Sequence, residues 1–325
     1  FISVFKFNNI SIEIKNMSNS TLKKLKKMGF KKNPLDESKI NQLDEMGYCL
    51  LEPSKSIMSH LGKDLEYMRK KIDDLLEKEG ELSGYEGREE FYKMGKRFEP
   101  IASRLGNLPN KDKVFMNFVM LPELLWSSYH VIKKDIMLSS SNFREPLKGS
   151  GQQRLHIDWK PLKENSSDYE CVVAMMYLDK SEIDNGAIKV VPRSHKLIGY
   201  PDKYCNPYLE HKKSITIEAD AGSIIILNSN LWHRGSENVS GKRRRIINAS
   251  YRSRNLKQGL NQKMYINDKI KKNLNDEEKY FLKIRDKDLN QEEKIYGPGN
   301  NYRDWLVNNP KFNYSKSKDI RIKHI

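Results

Sequence analysis

The sequence predicts a mainly β core, a sandwich or barrel, with helical additions on both sides of it. Short runs rich in β-forming residues and separated by Gly, Pro, Asn and Asp are concentrated between about residues 135 and 254. Helical periodicity dominates before this segment, and polar, helix-forming sequence returns after it. Many short strands at close spacing are typical of sandwiches and barrels.

The expected organisation is a single domain built from four consecutive segments. These are a non-native or disordered leader at residues 1–16, a helical N-terminal part at 17–134, the β core at 135–254, and a helical or irregular C-terminal tail at 255–325. The leader is defined by Met17, which opens a helix-like stretch, and we give it no structural weight.

Helices are expected through most of the N-terminal part. Asp36 or Ser38 can cap ESKINQLDEMG, and KDLEYMRKKIDDLLEKEG has an apolar face. That face consists of Leu65, Met68, Ile72, Leu75 and Leu76. Further helical pieces are expected around residues 91–105 and 121–132.

The β core begins near residue 135. The predicted strands are IMLSSSNF, QQRLHID, CVVAMMYLD, AIKVV, SITIEA, SIIILN and RIINASYR. In the tail, Asn275 or Asp276 can cap DEEKYFLKIRD, and NYRDWLV at residues 301–307 is expected to be a short helix.

Composition excludes several classes of protein. The chain has 325 residues, of which 37% are hydrophobic and 31% charged, as in water-soluble globular proteins. No apolar run reaches the ~18 to 20 residues that span a bilayer, so no membrane is expected as a partner. The 3 cysteines are an odd number and widely separated, which argues for reduced thiols in the cytoplasm and against a disulfide framework or a structural zinc site.

The formal net charge of +16 raises the question of nucleic-acid binding. The basic residues are spread along the whole chain instead of forming one basic arm with interleaved aromatic residues. This spread argues against nucleic acid and leaves a small-molecule substrate as the expected partner. The sequence does not specify an oligomeric state.

Three residues of the β core form a candidate metal site. His156 and Asp158 are two positions apart in a predicted strand, so both side chains point to the same face. His233 follows the apolar run SIIILN, and a jelly roll can bring such distant strands together. Two histidines and one carboxylate are the ligand set of non-haem Fe(II) oxygenases, which keep positions open for a cosubstrate and dioxygen.

An arginine run, GKRRRIINASYR, follows His233 and enters a predicted strand. A dicarboxylate cosubstrate needs a cation at its distal end, and arginine binds a carboxylate bidentately. Arg244 shares a strand face with Ile246, whereas Arg243 and Arg245 point the other way. A register error of one residue would exchange these assignments, and the alternative interpretation is three solvated arginines.

These motifs together resemble the phytanoyl-CoA dioxygenase family over about residues 40–252. The resemblance rests on Q-x-L-H-x-D at 153–158, NGAIKVVPRSHK at 185–196, D-A-G-S at 220–223, W-H-R-G-S-x-N at 232–238 and the run Arg243–Arg245. It implies a double-stranded β-helix (a cupin-like jelly roll), Fe(II) as cofactor, 2-oxoglutarate as cosubstrate and dioxygen, in a hydroxylase.

The resemblance also implies roles for individual residues. His156, Asp158 and His233 match the iron ligands, and Arg244 matches the arginine that pairs with 2-oxoglutarate. Gln153 stands where a pocket-lining glutamine is common. The family often has Ser or Thr two positions after the distal histidine, but this chain has Gly235 followed by Ser236, so Ser236 is the candidate for that second cosubstrate contact.

The expected function is therefore a 2-oxoglutarate-dependent dioxygenase that hydroxylates a small metabolite, with an anion as one candidate. Lys160, Lys163, Lys189 and Arg193 flank the motifs and would suit an anion. A halogenase would need Gly or Ala in place of Asp158. The alternatives from other classes are a non-catalytic jelly-roll binding protein and a nucleic-acid demethylase.

Overall fold

The computed structural model describes residues 20–79, 102–164, 166 and 168–285. The expected leader and the expected helix at 301–307 lie outside these residues. The helices are α1 Ser20–Lys27, α2 Glu37–Met46, α3 Lys55–Leu61, α4 Leu65–Glu79, α5 Lys113–Val119, α6 Pro122–Ile132, α7 Gln262–Tyr265, α8 Asp268–Lys271 and α9 Asp276–Phe281. The strands are β1 Tyr48–Leu51, β2 Ala102–Gly106, β3 Ile136–Pro146, β4 Cys171–Tyr177, β5 Ile188–Val190, β6 Ile215–Ile217, β7 Ile224–Asn228, β8 His233–Gly235 and β9 Ile246–Ser253.

The strands form two antiparallel sheets, and the chain passes back and forth between them. The large sheet has the order β1-β7-β4-β9-β3-β2, and the small sheet has the order β6-β5-β8. An isolated bridge between His156 and His233 adds a further extended segment beside β8. From β3 to β9 the core segments alternate between the sheets, except that β5 and β6 are consecutive and pair within the small sheet, which is the path of a double-stranded β-helix.

The two faces of the large sheet pack against different layers, because successive side chains of a strand point to opposite faces. Met176, Ile224 and Ala249 belong to a cluster that the N-terminal helices complete. Tyr177 and Ile246 belong to a second cluster, between the two sheets. We call the face that carries this second cluster the inner face.

The turn after α2 fixes the N-terminal part against the core. Asp36 caps α2 by accepting a hydrogen bond from the Lys39 amide, and Gly47 ends the helix with φ of 85°. A Cβ atom at Gly47 would lie 2.5 Å from His195 Nδ1. Glycine is therefore required by both the left-handed backbone and the close approach.

Most predicted elements are present, and two differ. Residues 102–105, expected to be helical, lie in β2, which pairs with β3 along its whole length; this pairing overrides local helix preference. The run QQRLHID is extended but forms no regular ladder. The Gln153 amide bonds to Gly235 and the His156 amide to His233, so one extra residue on the 153–156 side makes a β-bulge.

No helix in the described ranges is long and apolar enough to cross a membrane.

Candidate metal centre

The bridge between the His156 segment and β8 brings the three predicted metal ligands together. The backbones of His156 and His233 exchange two hydrogen bonds of 3.0 Å. His156 Nε2 lies 3.6 Å from Asp158 Oδ1, and His233 Nε2 lies 3.4 Å from Asp158 Oδ2. One ligand atom from each residue lies within 4.8 Å of the other two, which is a separation that one metal ion can bridge.

Hydrogen bonds to the backbone orient both imidazole rings. His156 Nδ1 donates to the Arg154 carbonyl and His233 Nδ1 donates to the Leu231 carbonyl, each over 2.9 Å. Since each proton is then on Nδ1, the Nε2 lone pairs of the neutral rings face the Asp158 carboxylate. Ligating histidines typically donate their other ring nitrogen in this way. Three acceptors directed at one point fit a divalent transition metal.

The electrostatics of the three residues favour a cation. Burial and the neighbouring His233 lower the pKa of His156 to about 4, so this ring is neutral at physiological pH. Burial alone would raise the pKa of Asp158, but the two imidazoles hold it well below its usual range. Burial opposes protonation of His233, but the Asp158 carboxylate favours it. The pKa of His233 is raised as a result.

The site is open on the Asp158 side. The side chain of His233 is 6% exposed, that of His156 23%, and that of Asp158 35%. A bound ion would therefore be covered by β8 and accessible beside the carboxylate.

The three arginines of the run separate as alternation predicts. Arg243 bonds to Glu145 and Asp73, and Arg245 bonds to Asp179 and Asp73. Arg244 points the other way, toward the inner face, and is only 4% exposed. Its Nε atom is buried and has no hydrogen-bond partner among the described residues. Burial lowers the pKa of Arg244 to about 10, so it remains charged at neutral pH.

Gln153 is three positions before His156, and Ser236 directly follows β8, which carries His233. Gln153 Oε1 accepts a hydrogen bond of 3.0 Å from the Gly235 amide. A Cβ atom at position 235 would come within 2.8 Å of the Gly151 carbonyl oxygen, which explains the glycine there. Ser236 Oγ is buried without a hydrogen-bond partner in the described part of the chain.

Sequence reasoning missed Arg144, on β3. Its positive charge contributes to the pKa of His156, of Asp158 and of His233, and the pairing of β3 with β9 places it opposite Ile246. The residue belongs to no motif, and the predicted strand stopped at Phe143. Residues 139–142 are all polar, so no alternation pointed to this residue.

His195 lies in a turn and has a structural setting. It is 1% exposed, its Nε2 lies 3.2 Å from the Asp44 carbonyl oxygen, and its ring packs on Tyr169.

The fold and this geometry define a jelly-roll protein with two histidines and a carboxylate converging beside its inner face. The profile of the phytanoyl-CoA dioxygenase (PhyH) family matches residues 44–246. The chain belongs to this family, and the resemblance seen in the motifs is confirmed.

Individual relatives agree with this membership. The uncharacterized protein Rv1501 of Mycobacterium tuberculosis is 31% identical over 150 residues, which cover 43% of this chain and 52% of Rv1501. The dioxygenase af480 of Aspergillus fumigatus is 28% identical over 158 residues, covering 47% of this chain and 49% of af480. The matches thus span about half the length of these relatives.

A solved structure supports the fold. HygX from Streptomyces hygroscopicus, with nickel and 2-oxoglutarate bound, superposes with a TM-score of 0.52 at 16% identity, covering 69% of this chain and 89% of HygX. The predicted double-stranded β-helix is confirmed.

Proposed function

We propose that this protein is an Fe(II)- and 2-oxoglutarate-dependent dioxygenase that hydroxylates a small metabolite. The observation that carries the proposal is the convergence of His156, Asp158 and His233, with ligand atoms within 4.8 Å of one another. Such a site leaves coordination positions for a cosubstrate and dioxygen. Family membership supports the same metal and cosubstrate, as do the 2-oxoglutarate bound by HygX in one structure and the iron bound in another.

Each residue has a defined role in this proposal. His156, Asp158 and His233 would hold the iron. Arg244 would bind the distal carboxylate of 2-oxoglutarate through charge-assisted hydrogen bonds. Gln153 and Ser236 would line the cosubstrate pocket.

When they are bound, Fe(II), 2-oxoglutarate and dioxygen together supply the oxidant, and the cosubstrate leaves as succinate and carbon dioxide. The chain itself contributes orientation and exclusion of water. The Nδ1 hydrogen bonds of His156 and His233 fix the rings before any ligand arrives. Burial of His233 and Arg244 keeps water from their ligands, which strengthens their electrostatic interactions.

The charges around the open side favour an anionic substrate. Of the four basic residues flanking the motifs, Lys189 is paired with Glu210 and Arg193 with Glu45. Lys160 is two positions after Asp158, and its ammonium lies 6.0 Å from the ring centroid of Trp159, the residue between them. Together with Arg144 it would attract a negatively charged metabolite to the exposed carboxylate side.

We also propose a cytoplasmic location. All three cysteines are free, and Cys49 and Cys171 are buried. Widely separated reduced thiols are typical of cytoplasmic proteins.

The decisive experiment measures succinate release by the protein loaded anaerobically with Fe(II) and 2-oxoglutarate and then exposed to air. The protein is tested with a panel of acyl-CoA thioesters, amino acids, phosphonates and natural-product intermediates. At least one compound is expected to stimulate the release of succinate. The variant Asp158→Ala serves as the matched control and is expected to release none. If calorimetry detects no binding of either Fe(II) or 2-oxoglutarate, the enzyme proposal is wrong and a non-catalytic binding protein replaces it. Stimulation by methylated oligonucleotides alone would favour a demethylase.

A further inference from the structure

Several side-chain atoms at one end of the inner face are buried without hydrogen-bond partners in the described ranges. They include Tyr177 Oη, Ser223 Oγ and Arg244 Nε. Tyr177 and Ser223 are 0% exposed and Arg244 is 4% exposed. More than about 90% of buried polar groups in native proteins are hydrogen-bonded, and leaving one unpaired is unfavourable. This concentration therefore indicates a place built for a polar ligand.

The strand register places Tyr177 beside Arg244. Tyr177 on β4 is directly opposite Ile246 on β9, and Arg244 is two positions before Ile246, so its side chain points to the same inner face. Ser223 lies on the other side of Tyr177, whose amide donates to the Ser223 carbonyl over 3.0 Å. The tyrosine hydroxyl and the guanidinium thus share one end of the space between the sheets.

Both groups are hydrogen-bond donors at neutral pH. Burial raises the pKa of Tyr177 to about 12, with Arg244 opposing the shift. The pKa of Arg244 is about 10, and the nearby Glu145 carboxylate is already paired with Arg243 over 2.6 Å and 2.9 Å. Because Glu145 is already paired, it does not neutralise these two donors. The phenol of Tyr177 and the guanidinium of Arg244 are therefore complementary to the carboxylate of a ligand.

The sequence departs from its family at the position that often supplies the second contact to this carboxylate. Gly235 has no hydroxyl, its amide is bonded to Gln153 Oε1, and the Gly151 carbonyl oxygen leaves no room for a Cβ atom. Gly235 therefore cannot donate to a carboxylate beside Arg244, whereas the hydroxyls of Tyr177 and Ser236 are both buried without a partner in the described ranges.

We propose that the Tyr177 hydroxyl donates a hydrogen bond to the distal carboxylate of 2-oxoglutarate, as the partner of Arg244 in positioning the cosubstrate. This inference rests on the proposed function and assigns Tyr177 a role in selecting a dicarboxylate over a monocarboxylate 2-oxo acid.

The test is direct binding to Tyr177→Phe, which removes only the hydroxyl. Calorimetry with the anaerobic Ni(II)-loaded protein is expected to show an affinity for 2-oxoglutarate about 10- to 100-fold weaker than in the wild type. The affinity for 2-oxopentanoate, which has a methyl group in place of the distal carboxylate, is expected to be unchanged. The melting temperature without cosubstrate should not fall, because the hydroxyl has no protein partner to lose.

Tyr251→Phe is the matched control. Tyr251 is also 0% exposed, but its hydroxyl donates to the Val119 carbonyl over 2.7 Å on the helical side of the sheet. This variant should lose thermal stability and keep its affinity for 2-oxoglutarate.

Two results would overturn the inference. One is an unchanged affinity of Tyr177→Phe for 2-oxoglutarate while the wild type binds it. The other is a loss of affinity in Ser236→Ala with none in Tyr177→Phe, which would assign the contact to Ser236. Absence of 2-oxoglutarate binding by the wild type would instead refute the proposed function, so the two failures are distinguishable.

Discussion

Replacing Arg244 by alanine is expected to weaken 2-oxoglutarate binding strongly and to leave metal binding nearly unchanged. Arg244 is 4% exposed, so its hydrogen bonds to a carboxylate form away from water. Loss of one partner of such a buried, charge-assisted pair amounts to ~2 to 4 kcal/mol. At ~1.4 kcal/mol per decade, the dissociation constant should rise by about 30- to 1,000-fold.

Arg243→Ala is the matched control, one position away on the opposite side of the chain. The side chain of Arg243 is 44% exposed and pairs with Asp73 and with Glu145, which is 7% exposed. Its removal should change the affinity for 2-oxoglutarate by less than about threefold, as for other exposed charges. The free energy of unfolding should fall by about 1 to 3 kcal/mol instead, because the Glu145 carboxylate stays buried without its partner.

The assay combines calorimetric titration of 2-oxoglutarate into the anaerobic metal-loaded proteins with urea unfolding of both variants. The reasoning predicts opposite phenotypes: lost affinity in Arg244→Ala and lost stability in Arg243→Ala. If Arg243→Ala loses affinity and Arg244→Ala does not, the assignment of faces is wrong and the enzyme proposal survives. If neither affinity changes while the wild type binds, the cosubstrate is held elsewhere.

Three further outcomes are expected. His233→Ala should lose Fe(II) binding and 2-oxoglutarate turnover while its circular dichroism stays that of the wild type; near wild-type decarboxylation would show that the ligand assignment is wrong. Asp158→Gly should lose hydroxylation and at best admit a halide to the metal, and full hydroxylation would point to another carboxylate. Burial lowers the pKa of His195 to about 4, below the ~6.5 of an unfolded histidine. As the pH falls, His195 is therefore protonated in the unfolded chain before it is protonated in the folded protein. The free energy of unfolding that neutral His195 contributes above pH ~6.5 is lost as the pH falls toward 4. The unfolding free energy of His195→Gln should show a shallower acid dependence, and equal slopes would contradict this.

The sequence was sufficient for the features that depend on local spacing. Strand alternation separated Arg244 from Arg243 and Arg245, although these residues precede β9 and are not part of it. The two-residue spacing of His156 and Asp158 was enough to place both side chains on one side. The cap of α9 was also readable, since Asn275 and Glu278 form a reciprocal capping box.

The features that were missed depend on pairing between segments distant in sequence. The bulge at 153–156 exists because this segment must bond to both Gly235 and His233. The strand β2 is formed by its pairing with β3. In the sequence, Tyr177 is one residue of the mostly apolar run CVVAMMYLD. Only the strand register, which places it opposite Ile246, relates it to the site. None of these relations has a signal in the local residue pattern.

The arginine run also explains how the register near the site is fixed. Arg243 and Arg245 both bond to Asp73 of α4, and Arg245 also bonds to Asp179 after β4. These contacts anchor the two flanking residues on the outer side, so the intervening side chain must point inward. A slip by one residue would direct two guanidiniums into the apolar inner cluster and leave the three carboxylates Asp73, Glu145 and Asp179 without these partners. The network that holds the helix to the sheet thereby also directs Arg244 toward the space between the sheets.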